Sequence, residues 1–87
     1  MAAITWTQQK VAGLPLQHFV GHAGVVEVGS VTYDGSNGMW AWASPLAEDA
    51  WGYAQTSEGA QQALAVWLIG WLENFRPFLD EVRRAYR

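Results

Sequence analysis

Apolar and polar residues alternate through the first half of the chain, the pattern that predicts half-buried β-strands. The alternation begins where Ile4 and Trp6 are separated by threonine. It predicts strands over residues 4–7, 16–20, 25–33 and 39–43, and residues 51–55 can add a further short extended piece. Residues 8–15 contain Gly13 and Pro15 and are predicted to form a connection. The N-terminal half is therefore expected to form a sheet.

Two glycine-containing pairs predict a tight turn between the third and fourth strands. Asp34-Gly35 and Asn37-Gly38 supply residues that tolerate positive φ, as hairpin turns require. Gly29 lies in the middle of the third strand, where glycine indicates a bulge or a close backbone approach. We therefore predict that residues 25–43 form an antiparallel hairpin.

After residue 56 the spacing of the apolar residues changes from that of a strand to that of a helix. Thr56 or Ser57 is a suitable N-cap, and apolar residues then recur at spacings of three and four: Ala60, Leu64, Trp67, Leu68, Trp71, Leu72 and Phe75. Val66 and Ile69 extend the apolar surface beyond one stripe, which favours a second contact surface on this helix. Pro77 predicts a break near residues 74–76, followed by a second helix that can begin with this proline.

Together these elements predict the α+β class. We expect residues 1–87 to form a single domain with an antiparallel sheet of three to four strands. One long helix in the C-terminal half packs on the sheet, and a short terminal helix follows it.

The chain has six tryptophans in 87 residues and no cysteine. The absence of cysteine excludes disulfide frameworks and thiolate zinc sites. Because six indoles exceed what one small core usually holds, we expect some of the aromatic residues at a protein interface. The candidate partner-binding residues are Trp40, Trp42, Trp51, Tyr53, Leu68 and Trp71. The alternative for Trp40 and Trp42 is that both pack beneath the helix.

The net charge of −3 is distributed unevenly. Residues 1–75 carry one base and six acids, giving −5, whereas residues 76–87 carry four arginines and two acids, giving +2. An acidic body does not provide the phosphate contacts that nucleic acids require, so nucleic acid is an unlikely partner. The candidate contacts, if there are any, are Arg76, Arg83, Arg84 and Arg87. Cations near a helix C-terminus also complement its dipole, which is the simpler interpretation.

The sequence predicts neither a membrane span nor an active site. The longest apolar run covers residues 63–72, well short of the ~20 residues a span requires. With no secretory signal pattern, the chain is expected to be soluble and cytoplasmic. His18 and His22 are spaced as possible metal ligands, but no third ligand is evident, and ordinary strand or loop histidines are the preferred interpretation. No cofactor and no enzymatic activity are predicted.

Residues 31–73 resemble the HicB-like antitoxin domain, which has a partial ribonuclease-H-like fold. The resemblance rests on the strand Trp40-Ala41-Trp42, the loop Pro45-Leu46, Gly52, the segment Thr56-Ser57-Glu58-Gly59-Ala60, and the helix after it. It implies a regulatory module that masks a toxin or contacts nucleic acid. The chain departs from the family where Gly59 separates Glu58 from Ala60, and where no DNA-binding segment follows the helix.

The chain is also similar in general appearance to small uncharacterised phage and prophage proteins. The leading hypothesis is a non-enzymatic binding or accessory protein of phage or mobile-element type. It is expected to act through protein–protein contacts and to form a dimer. The HicB-like module is the alternative.

Overall fold

The computed structural model describes residues 3–86, which form five strands followed by two helices. All five strands belong to one antiparallel sheet in the order β1-β2-β3-β4-β5, so each strand pairs with its neighbour in the chain. The α+β class is confirmed, but the prediction of three to four strands is wrong. The elements are β1 (Thr5–Val11), β2 (Leu14–Ala23), β3 (Val26–Asp34), β4 (Met39–Ala43), β5 (Trp51–Ala54), α1 (Ser57–Glu73) and α2 (Arg76–Ala85).

The first hairpin replaces the connection that was predicted for residues 8–15. β1 and β2 pair up to Val11 and Leu14, and only Ala12 and Gly13 remain in the turn. Both have positive φ, at 51° and 81°, as a two-residue hairpin turn of type I′ requires. Pro15 is tolerated because this end of β2 pairs with β1 alone. Its missing N–H therefore removes no hydrogen bond to β3.

The predicted hairpin between β3 and β4 is present, and Asp34 organises its turn. Oδ1 of Asp34 accepts from the hydroxyl of Ser36 at 2.6 Å and from its backbone N–H at 2.9 Å. These two bonds favour the charged carboxylate and hold the pKa of Asp34 below its ordinary value. Gly38 closes the turn with φ of 70°, and its N–H donates to the carbonyl of Asp34 at 2.9 Å.

The short piece predicted near residues 51–55 is a full edge strand, paired with β4 from Trp40 opposite Ala54 to Ala43 opposite Trp51. A compact loop makes this pairing possible. The N–H of Ser44 donates to the carbonyl of Ala50 at 2.9 Å, and the Ser44 hydroxyl accepts from the N–H of Leu46 at 3.2 Å. Strand β5 then leads into α1.

Helix α1 begins where the sequence predicted, with Thr56 as its N-cap. The Thr56 hydroxyl accepts from the N–H of Gly59 at 3.0 Å. The helix packs on β3, β4 and β5, and Val28, Leu64 and Leu68 form the centre of the core. From β1 and β2 only side chains such as Trp6 and Ala23 reach this core, so α1 covers only part of this side of the sheet.

Gly29 is the point of closest approach between α1 and the sheet. A Cβ atom on Gly29 would lie 2.1 Å from Cδ1 of Leu64 and 2.7 Å from the carbonyl oxygen of Ala43. The β2–β3 register also shifts here, because Gly21 pairs with Gly29 whereas His22 pairs with Glu27. Val28 is the extra residue of this β-bulge. Both structural roles that the sequence allowed for Gly29, a bulge and a close approach, are confirmed.

Helix α2 extends away from this core. The break predicted near residues 74–76 is present, and Pro77 lies in the first turn of α2. The guanidinium of Arg76 donates two hydrogen bonds to the carboxylate of Glu73 across the break, at 2.8 and 2.9 Å. No residue of α2 is buried. The radius of gyration is 15.4 Å, against about 12 Å for a compact chain of this length, so the molecule is elongated.

Candidate interaction surface

The two tryptophans of β4 share the helix-facing side of the sheet, but they have different neighbours. Trp42 packs against Trp67 of α1, with ring centroids 6.5 Å apart, and its indole covers Gly52 of β5. Trp40 lies farther along the strand and contacts Tyr33 and Phe19 at centroid distances of 5.6 and 6.2 Å. Both indoles are half-buried. The alternative interpretation, packing beneath the helix, therefore describes Trp42 but not Trp40.

Two of the predicted contact residues lie on α1. Leu68 is only 7% exposed and packs with Val28 and Leu64, so it belongs to the core and does not present a side chain to a partner. Trp71 is half-buried; it stacks on Trp67 at 5.8 Å and meets Phe75 edge-on at 4.9 Å. Leu68 was predicted both in the apolar stripe of α1 and as a partner contact. The structure shows the first of these, and the partner-binding prediction for Leu68 is corrected because its side chain is enclosed by the core.

The two aromatic residues of β5 are exposed on the opposite side of the sheet. Trp51 and Tyr53 are 62% and 47% exposed, and their rings form an edge-to-face pair at 6.1 Å. Their partners in the register are Ala43 and Ala41, so only methyl groups lie beside the two rings. Of the predicted contact residues, these two have the most exposed side chains.

A larger apolar surface runs along the two helices. We define the helical apolar surface as the exposed residues Val66, Ile69, Leu72, Phe75, Phe78 and Leu79. The sequence indicated its first part, because Val66 and Ile69 widened the stripe of α1. The part on α2 was missed as a surface, because an apolar stripe at helical spacing is normally assigned to the core.

Two concavities flank this surface, and they meet at Ile69 and Leu72. The first, which we call the side groove, lies between α1 and the start of the sheet and has a volume of about 560 Å³. The second, the helix crook, lies between α1 and α2 and has a volume of about 550 Å³. The side groove is lined by Ala3, Ile4, Trp6, Ala23, Glu58, Gln61, Gln62, Ala65, Leu68, Ile69 and Leu72.

The accessible surface of the whole chain is large for its mass. It measures 6422 Å² for 9.6 kDa, whereas a compact monomer of this mass exposes about 5,100 Å². The excess is about 1,300 Å². The core is correspondingly small. Among the described residues, Leu64 and Val31 are the largest side chains that are fully buried. A substantial part of the apolar surface is therefore left without a cover.

The arginines proposed as phosphate contacts are not gathered into one site. Arg76 is held by Glu73 in an ion pair at 2.8 Å. Arg83 lines the helix crook, Arg84 is exposed in the last turn of α2, and Arg87 lies outside the described residues. Arg83 and Arg84 lie in the last turn of α2, where positive charge is favourable.

The two histidines that were considered as possible metal ligands are also far apart. His18 and His22 are four residues apart in β2, a separation of about 13 Å along an extended strand, whereas both nitrogens would have to lie about 2 Å from one zinc ion. Within residues 3–86 no cluster of three or more possible metal ligands is present. Neither helix has the length and apolar character needed to cross a membrane.

Comparison of the chain with protein-family models, with curated proteins and with solved structures yields no match. The helical apolar surface and the Trp51–Tyr53 pair are thus the two features from which a function can be argued.

Proposed function

We propose that this protein is a non-enzymatic binding protein that acts through protein–protein contacts and is a homodimer in its working form. The observation that carries the proposal is the accessible surface, about 1,300 Å² above that of a compact monomer. A stable interface of standard size buries about 800 Å² per partner. The excess is therefore enough to supply one complete interface.

The helical apolar surface has the composition of such an interface. Ile69 and Phe78 are each at least 60% exposed, and Leu72 is about half exposed. Burying apolar area stabilises an assembly by roughly 25 cal/mol per Å² before the cost of association. Large apolar side chains at the centre with charged residues at the margin are typical of protein interfaces. Here the ion-paired Glu73 and Arg76 line the helix crook together with the apolar side chains.

The Trp51–Tyr53 pair offers a second surface on the opposite side of the sheet. Tryptophan and tyrosine are both enriched at binding hot spots. Because these rings face away from α1, dimerisation through the helices leaves them accessible. We propose that a different protein partner is bound there.

The alternative is a HicB-like module that contacts nucleic acid. It relies on Arg83 and Arg84, and the acidic remainder of the chain disfavours it. Salt-dependent binding to DNA or RNA that is lost when both arginines are neutralised would support this alternative over our proposal.

The test is solution mass by light scattering across a dilution series. We expect the wild-type chain to have twice its mass of 9.6 kDa at high concentration and to dissociate on dilution. Ile69→Glu places a charge in the helical apolar surface and is expected to give a folded monomer. Gln55→Glu adds the same charge at an exposed position before α1, outside the helical apolar surface, and should remain a dimer.

Trp51→Ala is a second control, because it removes an exposed ring from the other side of the sheet and should leave the mass unchanged. A wild-type chain that is monomeric at every concentration would contradict the proposal. So would an unchanged mass for Ile69→Glu.

A further inference from the structure

The side groove has the shape and length to bind a short helix. Its apolar lining comes from α1 on one side and from Ile4 and Trp6 on the other. From Glu58 to Leu72 it follows 15 residues of α1, and the two ends are about 21 Å apart at the rise of an α-helix. Helix α2 has ten residues and a length of about 15 Å, so the groove is long enough to hold it.

Helix α2 has the apolar surface that binding in such a groove requires. Phe78, Leu79, Val82 and Tyr86 lie on one side of it, at helical spacing, and no residue of α2 is buried within its own chain. No residue of α2 lines the side groove of its own chain either. An amphipathic helix without a cover and an apolar groove without an occupant are therefore present on the same molecule, in separate places.

Charge indicates how a second copy would fit. Glu58 lies at one end of the side groove, and Arg83 lies in the last turn of α2. When α2 of one copy lies in the side groove of the other and runs antiparallel to its α1, the last turn of α2 is at the Glu58 end of the groove. In this orientation the opposite charges of Arg83 and Glu58 are side by side at both ends of the interface.

We infer that the dimer is reciprocal: α2 of each copy occupies the side groove of the other, and Arg83 pairs across the interface with Glu58. The inference rests on the proposed function, because it specifies the partner and the geometry of the self-association proposed above. It is an isologous interface, in which the same patch serves both copies. The acidic body and the basic last turn of α2 are complementary in this arrangement.

Charge reversal tests this pairing. Glu58→Arg and Arg83→Glu each replace two attractive pairs per dimer with two repulsive ones, and each should raise the dimer dissociation constant at least about fivefold at low salt. The double variant restores opposite charges and should return the constant to within about twofold of wild type. All of these positions are exposed, so the variants are expected to fold, which circular dichroism verifies.

Arg84 supplies a matched control, because it neighbours Arg83 but lies on the polar side of α2. Arg84→Glu should weaken the dimer much less than Arg83→Glu, and it should not rescue Glu58→Arg. Equal effects of Arg83→Glu and Arg84→Glu would overturn the pairing, since they would show a response to net charge alone.

Disulfide formation gives an independent readout, because the chain has no cysteine of its own. The double variant Glu58→Cys with Arg83→Cys should form a covalent dimer under mild oxidation, as a disulfide needs Cα atoms within about 7 Å. Neither single variant should do so, because equivalent positions lie far apart on either side of the two-fold axis.

The outcomes separate the two proposals. A dimer in which the double charge reversal restores no affinity and no crosslink forms between positions 58 and 83 would overturn the binding of α2 in the side groove of the other copy. It would still agree with the proposed self-association. A wild-type chain that stays monomeric across the dilution series would overturn both.

Discussion

Gly29 is the position where a single methyl group should do most damage to this fold. The change Gly29→Ala places a Cβ atom 2.1 Å from Cδ1 of Leu64 and 2.7 Å from the carbonyl oxygen of Ala43. Both distances lie well inside the 3.4–4 Å that is ordinary van der Waals contact for a Cβ atom. The clash therefore forces movement either in the helix or in the sheet.

Neither neighbour can move easily. Leu64 is fully buried, and Val28 and Leu68 pack against it, so its methyl group has no space to turn into. The carbonyl of Ala43 belongs to β4, which is held in register by the pair Ser30–Ala43. Overpacking of a closed core costs about 1–3 kcal/mol. Because one of the two obstacles is backbone, we expect a loss near the upper end, about 3 kcal/mol.

The assay is urea unfolding followed by tryptophan fluorescence at a fixed protein concentration, which keeps the contribution of self-association constant. Gly70→Ala is the matched control, because its added Cβ has no neighbour within 4 Å and alanine is the better helix former. We expect Gly70→Ala to raise the free energy of unfolding by about 0.5–1 kcal/mol. The same change from glycine to alanine is therefore expected to lower the free energy of unfolding at position 29 and to raise it at position 70.

A Gly29→Ala variant within about 0.5 kcal/mol of wild type, the range of a neutral surface substitution, would refute the reasoning. It would mean that α1 does not approach β3 as closely as the contact between Leu64 and Gly29 requires.

Two smaller predictions concern local hydrogen bonds. Thr56→Ala removes the acceptor of the Gly59 N–H and should lower the free energy of unfolding by ~1 kcal/mol in urea unfolding, whereas Thr56→Ser should be nearly neutral. Asp34→Asn removes the charge that the two bonds from Ser36 favour, so it should lower the urea midpoint at pH 7. Because the pKa of Asp34 is lowered in the folded chain, the stability that its charge contributes is present above the ordinary value of 3.8 and is lost as the pH falls through the lowered pKa. The difference between Asp34→Asn and wild type should therefore disappear in unfolding experiments at the lowest pH, and a constant difference would contradict this cause.

The helix boundaries could be predicted because they depend on local chemistry. Thr56 is a side chain that caps helices, and Pro77 is a residue that interrupts them, so both ends of α1 follow from the few residues around them. The β3–β4 hairpin was predicted for the same reason. Its turn is built by Asp34 and Gly38, whose turn preferences are strong.

The first hairpin and the extent to which the sheet covers α1 could not be predicted in this way. Ala12 adopts a left-handed φ that nothing in its side chain indicates, so the turn was assigned to a longer connection. Leu68 and Ile69 are both apolar and differ by only 100° around the helix, yet one is buried and the other is 63% exposed. The helical spacing separated these two correctly, but it also placed Leu72 and Phe75 in the stripe, and both are exposed. How much of the stripe the sheet covers is tertiary information.

The limited core leads to a last prediction, in which stability depends on protein concentration. Six apolar residues are buried within the described part of the chain, and two of these are alanines, so the isolated monomer is expected to lie near the lower end of the about 5–15 kcal/mol usual for folded domains. Dimerisation that covers the helical apolar surface stabilises only the folded chain, and the thermal midpoint should therefore rise with concentration. The measurement is thermal unfolding by circular dichroism over a hundredfold concentration range. Ile69→Glu should unfold at a lower midpoint that does not change with concentration, and a concentration-independent wild-type midpoint would show that the exposed apolar surface contributes nothing to folding.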